Sequence, residues 1–128
     1  MAKKVKSTYV DGFVLTVPKN KVVAYRKIAR QARKLWKKYG ALDYKECILE
    51  DAKPQWVTFT FPKMVKARPG DTVWFSYIEY SSKAHRDQVN KLVMADPLMQ
   101  SDDFSKMDKM PFDMKRMAYG GFKVVVNL

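Results

Sequence analysis

Hydrophobic residues near the start of the chain change from a nearly continuous run to a helical stripe. Residues 9–17 (YVDGFVLTV) are rich in β-branched and aromatic side chains and stop at Pro18, which predicts a strand. Over residues 21–39, apolar side chains recur at intervals of three and four, which predicts a helix of about five turns with one apolar stripe. Asn20 is a candidate N-cap for this helix, and Gly40 is placed to end it.

The middle of the chain predicts two more strands and a second helix. Residues 42–50 and 72–80 are predicted strands because they are short, rich in apolar residues and bounded by turn-forming residues. Ser81 or Ser82 can then cap a second helix, which we expect to stop near Asp96 because Pro97 follows.

Three other segments have a less regular pattern. Residues 56–59 alternate like a strand, and residues 62–67 fit a short helix with proline in its first turn. Residues 98–119 are polar and rich in methionine, so we expect them to wrap the surface with one or two short turns. Residues 122–127, after a pair of glycines, are the last predicted strand.

The predicted order is strand, helix, strand, strand, helix, strand, which is that of the ferredoxin-like split βαβ domain. We therefore expect one α+β domain over residues 1–128, with an antiparallel sheet and two helices on one face. The other face of such a sheet would carry phenylalanine, tyrosine and valine without cover. Burying that face against a second copy of the chain predicts a homodimer.

Composition narrows the class of protein. The 128 residues suffice for one domain, and 47% apolar with 30% charged residues fits a soluble globular protein. A single cysteine and a single histidine exclude a disulfide scaffold and the common zinc modules, so we expect no metal and no cofactor. The basic N-terminus is not followed by the uninterrupted apolar run of a signal peptide, and no uncharged run is long enough to cross a bilayer. We therefore expect a cytoplasmic protein without a membrane partner.

Charge is concentrated in the first predicted helix. The chain carries 25 basic and 13 acidic residues, a net charge of +12, and residues 21–39 contain no acidic residue. This helix face could bind phosphates non-specifically, as in RNA or another polyanion, or it could be a solvated face that keeps the protein soluble. The chain has no visible base-reading motif, which favours the solvated face. The candidate polyanion-binding residues are Arg26, Lys27, Arg30, Arg33, Lys34, Lys37 and Lys38.

Three carboxylates are the candidate catalytic residues. Strand alternation predicts that Asp11, Glu46 and Glu79 project from one face of the sheet, with Tyr44 and Tyr77 beside them. In an apolar, partly closed cavity such carboxylates would have raised pKa values suited to proton transfer. The alternative is that they pair with lysine or arginine at the rim of the sheet or at the dimer interface.

Near the C-terminus, Lys115, Arg116 and Tyr119 are candidate ligand-binding residues together with Tyr44 and Tyr77. They could supply the partners of the sheet carboxylates, or they could hold an anionic group of a substrate.

Six segments carry a resemblance that covers nearly the whole chain in order. They are YVDGF (9–13), EC (46–47), FPKMVKA (61–67), FSYIEY (75–80), VMADP (93–97) and MPFDMKRMAYGGF (110–122). In these segments the chain resembles the YbaA-like bacterial proteins, a family of unknown function. The resemblance implies a dimeric α/β-barrel, in which two ferredoxin-like sheets pack face to face, and it implies no established activity.

Three functions from different classes follow from these features. The leading hypothesis is a dimeric α/β-barrel protein of undetermined role that binds a small molecule between its sheet and helices. The second is a cofactor-independent enzyme, an isomerase or monooxygenase-like protein with an acidic and aromatic pocket. The third is a non-specific RNA-binding or polyanion-binding protein that uses the basic helix.

Overall fold

A four-stranded antiparallel sheet forms the centre of the structure, a computed structural model that describes residues 5–106 and 110–128. The strand order across the sheet is β2-β3-β1-β4, and every neighbouring pair is antiparallel. The strands are β1 (Tyr9–Pro18), β2 (Asp43–Ile48), β3 (Asp71–Tyr80) and β4 (Ala118–Lys123).

Two long helices connect these strands, α1 (Val22–Lys38) between β1 and β2, and α3 (Lys83–Ala95) between β3 and β4. Two single helical turns, α2 (Phe61–Met64) and α4 (Asp102–Ser105), lie in the connections before β3 and before β4. The α+β class and the predicted order of strand, helix, strand, strand, helix, strand are confirmed.

The apolar stripe of α1 packs against the centre of the sheet. Tyr25 and Ala29 of this helix contact Leu15, Val17 and Trp74, and all of these side chains are buried. Leu15 on β1 lies directly opposite Trp74 on β3, so the helix covers the same face of both strands. The spacing of three and four along the sequence therefore marks the buried face of the helix, as predicted.

The second long helix covers the neighbouring part of the same face. Val89 and Val93 of α3 are at most 1% exposed and pack with Ile78 and Tyr80 of β3. At the N-terminus of the helix, the Ser82 hydroxyl accepts a hydrogen bond from the backbone N–H of His85 at 3.0 Å, which confirms the predicted cap.

The opposite face of the sheet is covered only in part. Val65, which follows α2, packs against Val14 and Val73 and covers one end of this outer face. Phe75 remains 43% exposed and Phe122 remains 61% exposed. Large aromatic side chains on this face are therefore in contact with solvent in the single chain.

Three local predictions were wrong. The last strand begins at Ala118 rather than at Phe122, because Gly120 and Gly121 are strand residues that pair with β1. A side chain at Gly121 would collide with the Tyr9 ring, which explains a glycine within the strand. Residues 56–59 are not a strand: residue 56 ends a turn, with Trp56 in the left-handed region at φ 76°, and residues 58–59 form a bend. Asn20 lies in a 3₁₀ turn, and Lys21 occupies the N-cap position of α1.

An ion pair joins α3 to the sheet. Arg86 Nη1 donates to Asp11 Oδ1 at 2.8 Å, and the Asp11 residue on β1 is only 1% exposed. The guanidinium also lies 5.0 Å from the centre of the Tyr9 ring, in the geometry of a cation–π contact. The buried carboxylate is thus held at the sheet surface by a cation that comes from the helix.

We predict that Arg86→Met lowers the free energy of unfolding by about 3 to 5 kcal/mol, because it leaves the Asp11 carboxylate buried without its cation. Chemical denaturation followed by circular dichroism measures the change.

The double variant Asp11→Asn with Arg86→Met should recover much of this loss, since it removes the buried charge as well. Lys106→Met is the control: Lys106 forms an exposed pair with Asp102, so the variant should remain close to the wild type. A stability of Arg86→Met equal to that of Lys106→Met would contradict the proposed role of the buried pair.

Candidate functional site

A cavity of about 180 Å³ lies between α1, the sheet and the chain that follows α3. It is similar in size to the cavity of roughly 150 Å³, lined by apolar side chains, that holds benzene in an engineered protein. Its lining is almost entirely apolar. The lining residues are Phe13, Leu15, Tyr25, Ile28, Ala29, Ala32, Trp36, Tyr44, Glu46, Ser76, Ile78, Met99, Phe104, Met110, Phe112 and Met117.

Short side chains on facing elements leave this space open. Ala29 and Ala32 face the sheet from α1, and Ser76 faces the helix from β3. The larger side chains of Tyr25 and Trp36 lie on either side of the two alanines along the helix. The cavity therefore exists because two positions in the buried stripe of α1 are alanines.

Glu46 is the one carboxyl group among the described residues that line the cavity. Its Oε2 accepts a hydrogen bond from the Tyr25 hydroxyl at 2.7 Å, and its Oε1 accepts one from the Tyr44 hydroxyl at 2.8 Å. Burial raises the pKa of Glu46, and the two hydroxyl donors oppose this shift only in part.

The contact with Glu46 also changes the pKa values of the two tyrosines. Burial and then the nearby charge of Glu46 raise the pKa of both Tyr25 and Tyr44, so both hydroxyls stay protonated and act as donors. The arrangement places a carboxyl group with a raised pKa, oriented by two neutral donors, in an apolar cavity. Such a group can accept or release a proton, or bind a polar group of a ligand.

The predicted cluster of three carboxylates does not form. Asp11 pairs across the strands with Ile78, whereas Glu79 pairs with Val10, so these two carboxylates lie on opposite faces of the sheet. Glu46 lies on the face covered by the helices, and Glu79 lies on the outer face. The prediction failed because β3 carries apolar side chains on both faces, so alternation did not identify the face that the helices cover.

Asp11 shares the helix-covered face with Glu46 but lies outside the cavity lining. It accepts hydrogen bonds from Arg86 and from the Tyr119 hydroxyl, at 2.8 and 3.2 Å. Tyr119 also packs against Phe13, with 4.7 Å between the ring centres. These contacts tie Asp11 to the packing of the sheet.

The two predicted tyrosines of the sheet are separated in the same way as the carboxylates. Tyr44 lines the cavity, whereas Tyr77 lies on the outer face with Lys45 5.4 Å from its ring centre. Tyr25, within the predicted apolar stripe of residues 21–39, is a further candidate site residue that the sequence pattern did not single out. A polar hydroxyl at the buried centre of that stripe was the available signal.

Arg116 is bound to carboxylates of its own chain. It donates to Asp71 at 2.8 Å and to Asp113 at 2.9 Å, and these bonds attach the segment before β4 to the start of β3. Burial favours the neutral form of Asp71, but the hydrogen bonds from Arg116 and from the backbone N–H of Arg68, together with the charges of both arginines, outweigh it and hold the pKa of Asp71 below its usual range. Lys115 is exposed beside it, so neither residue reaches the Glu46 cavity as a lining group.

The basic residues of α1 are all exposed, and they lie on different sides of the helix. Arg26, Arg30 and Arg33 border a groove of about 170 Å³ that is also lined by Ala29, Tyr44, Glu46 and Trp74. At about 100° per residue, Lys37 lies on the same flank as these arginines, whereas Lys27 and Lys34 lie on the solvent-facing side of the helix, opposite its buried stripe. Lys38 forms an ion pair with Asp96 at 3.2 Å.

Residues 5–106 and 110–128 hold neither a candidate metal cluster nor a helix that could span a membrane. No group of three or more histidine, cysteine, aspartate or glutamate side chains there is arranged to hold a metal ion. None of the described helices has the length and apolar character needed to span a membrane.

Comparison with known proteins places the chain among uncharacterised bacterial proteins. Residues 8–114 match the model of a family described as "Protein of unknown function (DUF1428)". The "Uncharacterized protein YbaA" of Escherichia coli (strain K12) is 46% identical over 119 residues, which cover 93% of this chain and 97% of that protein. The protein of the same description from Shigella flexneri gives the same values.

A solved structure, "De novo designed protein Ferredog-Diesel", aligns with 94% of this chain and 91% of its own, at 12% identity and a TM-score of 0.41. That score is too low to define the fold. The match to the family model and the 46% identity to YbaA confirm the resemblance predicted from the sequence. The chain belongs to the DUF1428 family of proteins of unknown function.

Proposed function

We propose that this protein binds a small, largely apolar molecule in the cavity between α1 and the sheet. The observation that supports this most directly is an apolar cavity of about 180 Å³ in which Glu46, the one carboxyl group among the described lining residues, is already oriented by two tyrosine hydroxyls. Protein interiors are normally close-packed, and an empty cavity lowers stability. Space beside an oriented polar group is typical of a ligand site.

A specific observation also favours a second function, that of a cofactor-independent enzyme such as an isomerase. Burial raises the pKa of Glu46 toward the range in which a carboxylate is an efficient general base. In this proposal Glu46 would remove or return a proton of the bound molecule. The hydroxyls of Tyr25 and Tyr44 would hold the two carboxylate oxygens of Glu46 in place. Asp11 has no comparable position, because Arg86 binds its carboxylate.

We further propose that the domain is ferredoxin-like and assembles as a homodimer through the outer face of the sheet. The ring of Phe122 lies over Gly12 and Gly120 on this face, and Phe75 is exposed nearby on β3. A second copy related by a twofold axis would cover the same residues on both chains at once. The resulting pair of facing sheets would be the dimeric α/β-barrel that the family resemblance implies.

We predict that indole, a small apolar probe, raises the melting temperature of the wild-type protein, because a ligand that binds only the folded state stabilises it by about 2.7 kcal/mol at a hundredfold excess over Kd. Ala32→Leu should abolish the shift, since its added isopropyl group occupies the cavity. Differential scanning fluorimetry measures both.

The control is Ala24→Leu, the same change on the exposed side of α1, which should leave the shift unchanged. Nuclear Overhauser contacts between indole and Phe13 or Ile78 in the wild type provide a measurement that does not depend on the folding of Ala32→Leu. Absence of both the shift and these contacts would refute the cavity as a binding site.

We predict that Glu46→Gln removes a component of the pH dependence of stability. The folded state holds the Glu46 proton more tightly than the unfolded state, so this component of the wild-type unfolding free energy decreases as pH rises through the raised folded pKa. Glutamine cannot ionise, so the variant lacks this component. The free energy of unfolding of the wild type minus that of the variant should therefore decrease from acid to neutral pH.

Urea denaturation at several pH values gives this difference, and carbon NMR titration of the Glu46 carboxyl reports its pKa directly. Glu79→Gln on the outer face is the control. It shows how the loss of one carboxylate outside the cavity changes the pH dependence of the free energy of unfolding. A Glu46 pKa at or below the ordinary value of about 4.3 would exclude the second function.

We predict that the wild-type protein is a dimer in sedimentation equilibrium at micromolar concentration. Phe75→Glu with Phe122→Glu should convert it to a folded monomer, because it places charges within the proposed apolar interface. Val23→Glu, on an exposed position of α1, is the control and should remain dimeric. A wild-type monomer at this concentration would contradict the proposed assembly.

A further inference from the structure

We propose that the molecule bound in the cavity carries an anionic group, a carboxylate or a phosphate, which Arg26, Arg30 and Arg33 bind in the adjoining groove. This inference rests on the proposed binding function, and it names the chemical class of the ligand. The ligand would place its apolar part in the cavity and its anionic group at the arginines.

The arginine groove adjoins the apolar cavity. Ala29, Tyr44 and Glu46 line both of them, and the proposed ligand spans the two spaces at this shared boundary. The groove adds about 170 Å³ next to the cavity of about 180 Å³. A polar opening beside an apolar interior is the usual arrangement of a site for a small molecule with one polar end.

The spacing of the arginines places them on one flank of α1. Positions 26, 30 and 33 are separated by four and three residues, so their side chains project in similar directions along the edge of β2. The planar guanidinium group can form two parallel hydrogen bonds with one carboxylate or phosphate. Three such groups beside one opening form a suitable binding site for an anion.

These three arginines are available for a ligand. In the part of the chain that the structure describes, none of them forms an ion pair, whereas Arg86 and Arg116 are bound to aspartates. The Glu46 oxygens accept hydrogen bonds from Tyr25 and Tyr44. The groove therefore combines three exposed guanidinium groups with one carboxyl group, a balance of charge that favours an anion over a cation.

A polyanion such as RNA is a different partner for the same helix, and the position of the cations around α1 distinguishes it. RNA would be attracted by all the exposed cations of the helix, including Lys27 and Lys34 on its solvent-facing side. A ligand seated in the cavity can reach only the flank that borders the groove. The variants Arg26→Gln with Arg33→Gln and Lys27→Gln with Lys34→Gln remove equal charge at the same spacing and form a matched pair.

The experiment measures binding of phenylacetate, phenyl phosphate and neutral phenylacetamide to the wild type and to both double variants by isothermal titration calorimetry. In the wild type the two anions should bind more tightly than the amide by about tenfold to a hundredfold, the worth of one hydrogen bond to a charged group. The arginine double variant should lose this advantage and still bind phenylacetamide as the wild type does. The lysine double variant should retain the advantage.

Each other outcome overturns a stated part of the argument. Equal affinity of the wild type for phenylacetamide and phenylacetate would refute the anionic ligand and leave the proposed binding function in place. Equal weakening by the two double variants would show general attraction to a basic surface and would also refute it. Failure of all three probes to bind would refute the proposed binding function itself.

Discussion

The packing of α1 against the sheet is the contact on which both the core and the cavity depend. Tyr25 packs on Trp74 with 5.0 Å between ring centres, and the Trp36 indole N–H donates to the Tyr80 hydroxyl at 3.1 Å. These large side chains support the helix on either side of Ala29 and Ala32. Because the alanines cannot reach across the space that the larger residues maintain, the cavity persists inside an otherwise close-packed layer.

The two carboxylates on the helix-covered face illustrate two ways of burying an acid. Asp11 is neutralised by the Arg86 guanidinium at 2.8 Å, which leaves a fixed ion pair that joins α3 to the sheet. Glu46 has neutral hydroxyl donors instead, so the cost of burial appears as a raised pKa. The two acids therefore differ in what holds them, a cation for Asp11 and neutral hydroxyls for Glu46, although both occupy the same face.

The basic and the exposed apolar surfaces of the protein also lie on different sides of the sheet. The arginine flank of α1 borders the groove beside the cavity, and the exposed Phe75 and Phe122 lie on the other side of the sheet. A ligand and a second copy of the chain would therefore use opposite faces and would not compete. In this arrangement the four strands are the common support of both proposed surfaces.

The sequence by itself determined the order of the strands and long helices, the buried stripe of α1 and a serine cap at residue 81 or 82, because local periodicity and capping chemistry set these features. It also indicated Glu46 and Tyr44 as candidate site residues. Only the tertiary structure decided that Glu79 and Tyr77 face the outer side, that Arg86 binds Asp11, that Ser82 is the cap, and that the Tyr25 hydroxyl donates to Glu46. These outcomes depend on the register between strands and on the distance at which a helix packs. Both result from contacts between residues far apart in the chain, which local patterns do not encode.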